Sequence, residues 1–204
     1  MFNHARGLWG YTGTAADGEP LTIQATGIGA ASAAVVAGEL CDLGLRSFVR
    51  VGTALSRDGA AYAPGDVVAV TRASRGDGVS QALGGRGTVL PDDAMTGRLH
   101  RALGLAAAVH STDLPAAGSL DIDLDVADLQ TAALLQVAHT RGLAAAAALV
   151  VVGVAGRHLD DALDDDALLA AATRAAHAAA TALGIPLREG RPSRLPRDDE
   201  AVTV

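Results

Sequence analysis

The sequence predicts a single α/β domain in which a mixed, mostly parallel central sheet is flanked by helices. Strand-like apolar segments alternate with helix-like segments along the chain, which is the order expected of a largely parallel, covered sheet. Hydrophobic residues make up 50% of the 204 residues and aromatic residues only 2%, so we expect a core of Ala, Val and Leu. No internal repeat or linker divides the chain. The domain is therefore predicted at residues 1–184, followed by a mobile, proline- and charge-rich tail at 185–204.

Apolar periodicity and turn residues locate the individual elements. Strands are predicted at residues 21–25, 47–51, 66–71, 106–111 and 147–154. Helices are predicted at 31–43, from Asp92 or Asp93 to 103, from Asp125 or Asp128 to 140, and from 164–166 to 183. Aspartates at the helix starts and glycines after the helix ends support these bounds. The segment 72–87 is rich in Gly, Ser and Arg and is predicted to be a loop.

Glycines and residues with hydroxyl side chains lie where three predicted strands end, at residues 26–29, 52–53 and 111–113. Ligands of such sheets bind at the carboxyl ends of the strands. Gly27 precedes a helix whose first N–H groups can face an anion. A tight strand-to-helix turn would produce the same pattern, so this glycine alone does not decide the question.

Arg50 lies in the apolar strand 47–51, directly before Gly52 and Thr53. Burying an arginine is costly unless its charge meets an anion or a carboxylate. The guanidinium can bind phosphate through two parallel hydrogen bonds beside the Thr53 hydroxyl. An internal salt bridge, or a position on an edge strand, accounts for the charge equally well.

Several classes of function are disfavoured by composition. A net charge of −7 argues against binding nucleic acid or an anionic membrane. No His or Cys spacing typical of a metal site is present, so no metal is expected. The most apolar run, residues 142–154, is about 13 residues long, against the roughly 20 of a membrane-spanning helix. With no apolar signal segment at the start, we expect a cytoplasmic protein.

Fragments of the chain, taken in order, resemble the nucleoside phosphorylases of the uridine phosphorylase and hexameric purine nucleoside phosphorylase type. The resembling segments are 3–14 (the family's arginine-bearing hairpin strand), 26–32 (its Gly-rich turn), 48–53 (its Arg-x-Gly-Ser/Thr phosphate motif), 64–68 (the next turn), 111–113 (its Ser-Ser/Thr-Asp strand end) and 128–135 (its Glu-Met-Glu-Ser/Ala-Ala segment). The resemblance spans most of residues 3–183 and implies the phosphorylase/hydrolase-like fold.

The resemblance implies a pentosyltransferase that cleaves a nucleoside with phosphate as co-substrate and without a cofactor. The implied phosphate ligands are Arg6, Arg50, Thr53 and Gly27, with Arg6 reaching the site of a neighbouring subunit. The family completes its sites across a dimer interface, so a homo-oligomer is expected, either a dimer or a trimer of dimers. The implied ribose ligands are Leu129 and Gln130, the base ligands Ser111 and Asp113, and the catalytic residue at the departing base Arg157.

The sequence also departs from the family. It begins after the position of the family's Gly-Asp-Pro loop, so we expect that loop's arginine to be missing. The ribose-binding glutamate is replaced by Gln130, and Gln130→Glu is expected to raise the rate. No acid follows the last core strand as in the purine enzymes. With two residues inserted in the alanine run, Arg157 corresponds to an arginine of uridine-type relatives, which favours a pyrimidine. The uridine-type base-recognition segment is missing, and Arg157 is equally well interpreted as a surface residue.

Three functions remain open at this point. The first is a nucleoside phosphorylase, for which Arg50→Ala is expected to abolish phosphate-dependent activity with little loss of folding. The second is a pseudoenzyme that keeps the fold to bind a ligand or a homologous subunit, as the lost groups suggest. The third is a phosphate-independent hydrolase, against which Arg50 argues because water as nucleophile needs no phosphate ligand.

Overall fold

The computed structural model describes residues 7–57, 61–115, 124–156 and 163–186. The strands β1 to β8 are Gly10–Thr14, Pro20–Gln24, Ser47–Ser56, Val67–Gly76, Thr88–Val89, Ala106–Thr112, Val126–Asp128 and Ala144–Val154. The helices α1 to α5 are Gly29–Asp42, Gly78–Ala82, Asp93–Leu103, Thr131–Arg141 and Asp165–Leu183. The tail predicted at 185–204 lies outside the described residues from 187 onward, as do Arg6 and Arg157.

The main sheet is mixed, and its longest pairings are parallel. Strands β3 and β8 run parallel along the whole of β3, and β6 is parallel to both β4 and β7. Shorter antiparallel pairings join β3 to β7, β4 to β8 and β4 to β5. These pairings connect β3, β8, β4, β6 and β7 into a closed ring. The predicted fold class is confirmed.

Helices cover the sheet on two sides. Helix α4 packs its buried Ala132, Leu135 and Ala138 against the strands, and α1 packs on the outside of α4. Helices α3 and α5 pack on the other strand surface, where α5 contributes small side chains such as Ala171 and Ala175. Small side chains allow the helix backbone to approach the sheet closely, which compensates for the scarcity of aromatic residues. No helix in the described ranges is long and apolar enough to cross a membrane.

Local sequence signals placed the ends of α3 and α5 correctly. The Asp92 carboxylate accepts a hydrogen bond from the N–H of Met95 at 2.8 Å, and α3 ends at Gly104 with φ of 77°. The Asp164 carboxylate accepts one from the N–H of Ala167 at 2.8 Å, and α5 ends at Gly184 with φ of 78°. These are the aspartate N-caps and left-handed glycine C-caps expected from the sequence.

The predicted loop at 72–87 is wrong for residues 72–82, whereas residues 83–87 lie outside the helices and strands as predicted. Strand β4 continues to Gly76 because β6 pairs with it that far, and α2 begins directly afterwards. The buried Asp77 carboxylate starts this helix by accepting hydrogen bonds from the Ser80 N–H at 2.7 Å and hydroxyl at 2.6 Å. Residues typical of loops therefore serve here as a helix cap.

Three other bounds and placements differ from the prediction. Strand β3 continues beyond Gly52 to Ser56, because β8 and β7 both supply hydrogen-bonding partners there. Helix α4 starts at Thr131 rather than at Asp125 or Asp128, because residues 126–128 form β7 between β6 and β3. Strand β2 pairs with β1 in a separate two-stranded sheet, so the turn 26–29 follows a hairpin strand.

Candidate functional site

A pocket of about 230 Å³ lies where the carboxyl ends of β3, β7 and β8 meet the start of α1. Five of the residues singled out from the sequence line it, namely Gly27, Arg50, Thr53, Leu129 and Gln130. The fold thus brings residues from all three predicted strand ends to one pocket, although these ends are more than 20 residues apart in the chain. A second groove of about 380 Å³ lies between α3, β4 and α5, and none of the predicted residues lines it.

Arg50 forms a buried ion pair. Its Nη2 lies 2.8 Å from Oδ2 of Asp128, and the two side chains are 9% and 1% exposed. The Nε atom is also buried but has no hydrogen-bond partner in the described part of the chain. A Cβ atom at position 52 would overlap the guanidinium, so Gly52 makes the room that Arg50 occupies. The internal salt bridge considered from the sequence is present, and it leaves donors of Arg50 unused.

Asp128 is the centre of this arrangement, and sequence reasoning did not identify it as a site residue. Its carboxylate accepts hydrogen bonds from the Ser111 hydroxyl at 2.5 Å, the Thr131 hydroxyl at 2.6 Å and the Thr131 N–H at 3.0 Å. Its position in β7 puts it opposite Ser111 of β6 and one turn ahead of α4. Asp128 stands at the first glutamate of the family's Glu-Met-Glu-Ser/Ala-Ala segment. Only this correspondence could have indicated its importance.

The residues predicted at the third strand end take different positions. Ser111 is completely buried, and its hydroxyl oxygen also accepts a hydrogen bond from the N–H of Ala132 at 2.9 Å. Asp113 is exposed, and its carboxylate accepts one from the N–H of Gly78 at 2.9 Å, at the start of α2. Thr112, between them, is the residue of this segment that lines the pocket.

The Gly-rich turn presents the start of α1 to the pocket. Gly27 and Gly29 have φ of 72° and 83°, values that glycine adopts without strain. Ile28 occupies the N-cap position of α1 and provides no side-chain hydrogen bond, and the first turn of α1 holds no acidic residue. The first N–H groups of a helix carry a partial positive charge, and neither the cap residue nor the first turn of α1 supplies a side chain that neutralises it.

Gln130 connects this turn to the start of α4. Its side-chain Nε2 donates to the carbonyl oxygens of Gly27 at 2.6 Å and Gly29 at 3.3 Å. Its Oε1 accepts a weak hydrogen bond from the hydroxyl of Thr26 at 3.4 Å. Gln130 itself is only 7% exposed, although it lines the pocket.

His110 was not singled out from the sequence, although a histidine inside an apolar strand next to a strand end is a signal of the same kind as Arg50. Burial lowers the pKa of His110, and the nearby carboxylates of Asp128 and Asp77 oppose this effect only in part. Its buried Nδ1 has no hydrogen-bond partner among the described residues. The ring lies where a Cβ at Gly76 would be, so it is held at the ends of β4 and β6.

No group of three or more His, Cys, Asp or Glu side chains in the described ranges is placed to hold a metal ion. The site consists instead of a guanidinium, a carboxylate, an amide and a helix N-terminus around a partly apolar pocket. Donors on one side and apolar carbon on the other can bind a small anion next to a less polar group.

The fold and the position of this pocket are those of an α/β protein with a ligand site at the carboxyl ends of its strands. A family model described as the Phosphorylase superfamily matches residues 1–185. The chain therefore belongs to the phosphorylase superfamily, and the resemblance to nucleoside phosphorylases is confirmed. A search of curated proteins found no match to this chain.

Proposed function

We propose that the protein is a phosphate-dependent nucleoside phosphorylase that prefers a pyrimidine to a purine nucleoside. The observation that carries this proposal is Arg50, a guanidinium nine-tenths buried at the pocket with its Nε unpaired. Asp128 accepts from one nitrogen of this guanidinium, which has five N–H donors, so donors of Arg50 remain for an anion in the pocket that Arg50 lines. The start of α1 supplies further donors on the same pocket.

Phosphate would lie between Arg50 and the turn 26–29. Arg50 would contribute charge and guanidinium donors, Thr53 a hydroxyl and Gly27 its backbone. Arg6 would add a second charge from a neighbouring subunit. In the reaction a phosphate oxygen forms a bond to the anomeric carbon of the pentose while the bond to the base nitrogen breaks. The bonding electrons leave with the base, so positioning and charge stabilisation account for catalysis.

The sugar would rest on Leu129, with a hydroxyl donating to the weakly used Oε1 of Gln130. Ser111 and Asp113 would form the part of the site that faces the base. Ser111 would order the end of β6 through its hydrogen bond to Asp128, and Asp113 would hold the start of α2 through its hydrogen bond from Gly78. Arg157 would stabilise the charge on the departing base. A cation in this role suits a pyrimidine anion, whereas a purine leaving group is commonly protonated by an acid.

The remaining predictions from the sequence are part of the same proposal. A homo-oligomer is supported by the hairpin β1–β2, on which Trp9, Tyr11 and Ile23 are 54%, 67% and 67% exposed. Apolar side chains of this size on one small hairpin are typical of an interface, and the chain segment before them contains Arg6. The cytoplasmic location, and the absence of a cofactor, a nucleic acid partner and a membrane partner, stay predictions.

A second candidate is a family member that binds its ligand without turning it over. It is favoured by the ion pair, because Asp128 already neutralises the charge that would otherwise act on phosphate. It is also favoured by Gln130, which brings no negative charge to a developing sugar cation.

A panel of purified pyrimidine and purine nucleosides, incubated with and without phosphate and separated by liquid chromatography, tests the proposal. Free base released only with phosphate, from pyrimidines first, is the expected result. Release without phosphate would contradict the role of Arg50, and no release would favour the binding protein. Arg50→Met should abolish the activity, whereas Arg141→Met, which removes an exposed pair with side chains 47% and 67% exposed, should retain it.

A further inference from the structure

The Gly-rich turn and α4 are about 100 residues apart in the sequence, and one side chain joins them. Gln130 donates from Nε2 to the carbonyls of Gly27 and Gly29, and accepts at Oε1 from the hydroxyl of Thr26. The same amide therefore contacts three of the four residues of the turn 26–29. It is 7% exposed, so water does not readily replace these contacts.

The chemistry of these contacts fixes which way round the amide lies. Two carbonyl oxygens can accept hydrogen bonds but cannot donate them, so the amide nitrogen must face them. The hydroxyl of Thr26 can donate, so it faces the amide oxygen. A reversed amide would set an oxygen against two carbonyl oxygens and lose both of these hydrogen bonds.

We propose that Gln130 is a positioning residue that locks the phosphate-binding turn 26–29 in place, and that a glutamate cannot replace it at neutral pH. An ionised carboxylate has no donor, so it would lose both carbonyl contacts and add a buried charge. The expectation drawn from the family, that Gln130→Glu raises the rate, is thereby reversed. The phosphate-related part of this inference rests on the proposed function, and the hydrogen bonds do not.

The lock determines how the turn presents its donors. A trans peptide places the C=O of one residue and the N–H of the next on opposite edges of one plane. Holding the carbonyls of Gly27 and Gly29 therefore also fixes the N–H groups of Ile28 and Ala30 on the opposite edges. Gly27 and Gly29 have positive φ and few steric restrictions, so without the lock both peptide planes could rotate.

A glutamate at this position provides a pH-dependent test, because a protonated carboxyl has one donor and one acceptor and can restore one of the two carbonyl contacts together with the contact to Thr26. Burial and the two carbonyls favour its neutral form. The charged groups that line the pocket with it are Arg50 on β3 and Asp128 on β7, and α1 has no acidic residue in its first turn. Wild type and the position-130 variants share Asp128, Arg50 and the neighbouring His110. A difference between their pH profiles of stability or anion binding therefore reports the residue at position 130.

The experiment compares wild type, Q130E and Q130L at pH values from 8 to 5, by thermal unfolding and by calorimetric titration with inorganic sulfate. Sulfate keeps its charge over this range and stands in for phosphate, which is titrated alongside at pH 8. At pH 8 both variants should unfold roughly 2–8 °C below wild type and bind sulfate about tenfold or more weakly. On acidification Q130E should regain both properties in part relative to wild type, since its carboxyl restores one of the two donated hydrogen bonds, and Q130L should regain neither.

Equal stability and sulfate affinity of Q130E and wild type at pH 8 would overturn the proposal. Parallel pH profiles of Q130E and Q130L would overturn it as well, since the recovery depends on the carboxyl proton. If wild type binds neither sulfate nor phosphate, the proposed function fails, and the unfolding profiles still decide whether Gln130 holds the turn.

Discussion

Replacing Arg50 by methionine should destabilise the protein by about 3 kcal/mol. Met keeps most of the apolar side-chain stem but removes the charge. The loss leaves the Asp128 carboxylate, 1% exposed, without its cation, and breaking a buried ion pair costs about 3–5 kcal/mol. We expect a destabilisation at the lower end of this range, because Ser111 and Thr131 still donate hydrogen bonds to Asp128. This contradicts the earlier expectation that losing Arg50 affects folding little.

The chain contains a matched control for this measurement. Arg141 and Asp42 pair at 2.9 Å, close to the 2.8 Å of Arg50 and Asp128, but their side chains are 47% and 67% exposed. Arg141→Met should therefore cost only about 0–1 kcal/mol, because water screens the pair and replaces its contacts. The two variants separate the effect of burial from that of distance.

Urea unfolding at pH 7.5 in a buffer without phosphate gives the free energies directly. Asp128→Asn should also destabilise strongly, and R50M together with D128N should cost about 1–3 kcal/mol less than the sum of the single changes. A loss below about 1 kcal/mol for R50M, similar to that of R141M, would refute the buried pair. Additive single changes would show that the two side chains do not interact.

Two further variants test the surroundings of the pair. Gly52→Ala should cost about 1–3 kcal/mol and abolish phosphate-dependent activity, because its Cβ would overlap the Arg50 guanidinium, which Asp128 holds in place. Gly38→Ala in α1 should instead stabilise the protein by about 0.5–1 kcal/mol in the same urea assay. Apart from the neighbouring backbone of α1, no atom of the described residues lies within 4 Å of a Cβ added at this position. Burial lowers the pKa of His110 below 6.5, so the unfolded chain binds its proton more readily and stability falls as the pH drops below 6.5. His110→Asn should lose less stability than wild type between pH 7 and 5, and parallel unfolding profiles would contradict this.

The elements predicted correctly are those whose signals are local. The aspartates and glycines around α3 and α5 act within four residues of the helix ends, so the sequence near each end suffices. Segment 72–87 was mispredicted because its structure depends on distant partners. Strand β4 continues to Gly76 only because β6 lies beside it, and β7 is too short to recognise without its neighbours.

The pocket could be located from the sequence because the ends of parallel strands meet at one edge of a sheet. The partners inside it could not, since Arg50 and Asp128 are 78 residues apart and Gln130 and Gly27 are 103 apart. The sequence left Arg50 open between phosphate binding and an internal salt bridge. These two roles do not exclude each other once the geometry of the side chain is considered.

A guanidinium carries five N–H donors in a rigid plane, so one carboxylate cannot occupy all of them. Asp128 takes Nη2, which holds the plane in position and leaves Nε buried and unpaired. Gln130 divides its amide in the same way, using the nitrogen on two carbonyls and leaving the oxygen with one weak contact. Both side chains thus line the pocket while one of their groups holds a neighbouring part of the fold. Donors held in place before a ligand arrives need no reorganisation when charge develops, which is what catalysis by charge stabilisation requires.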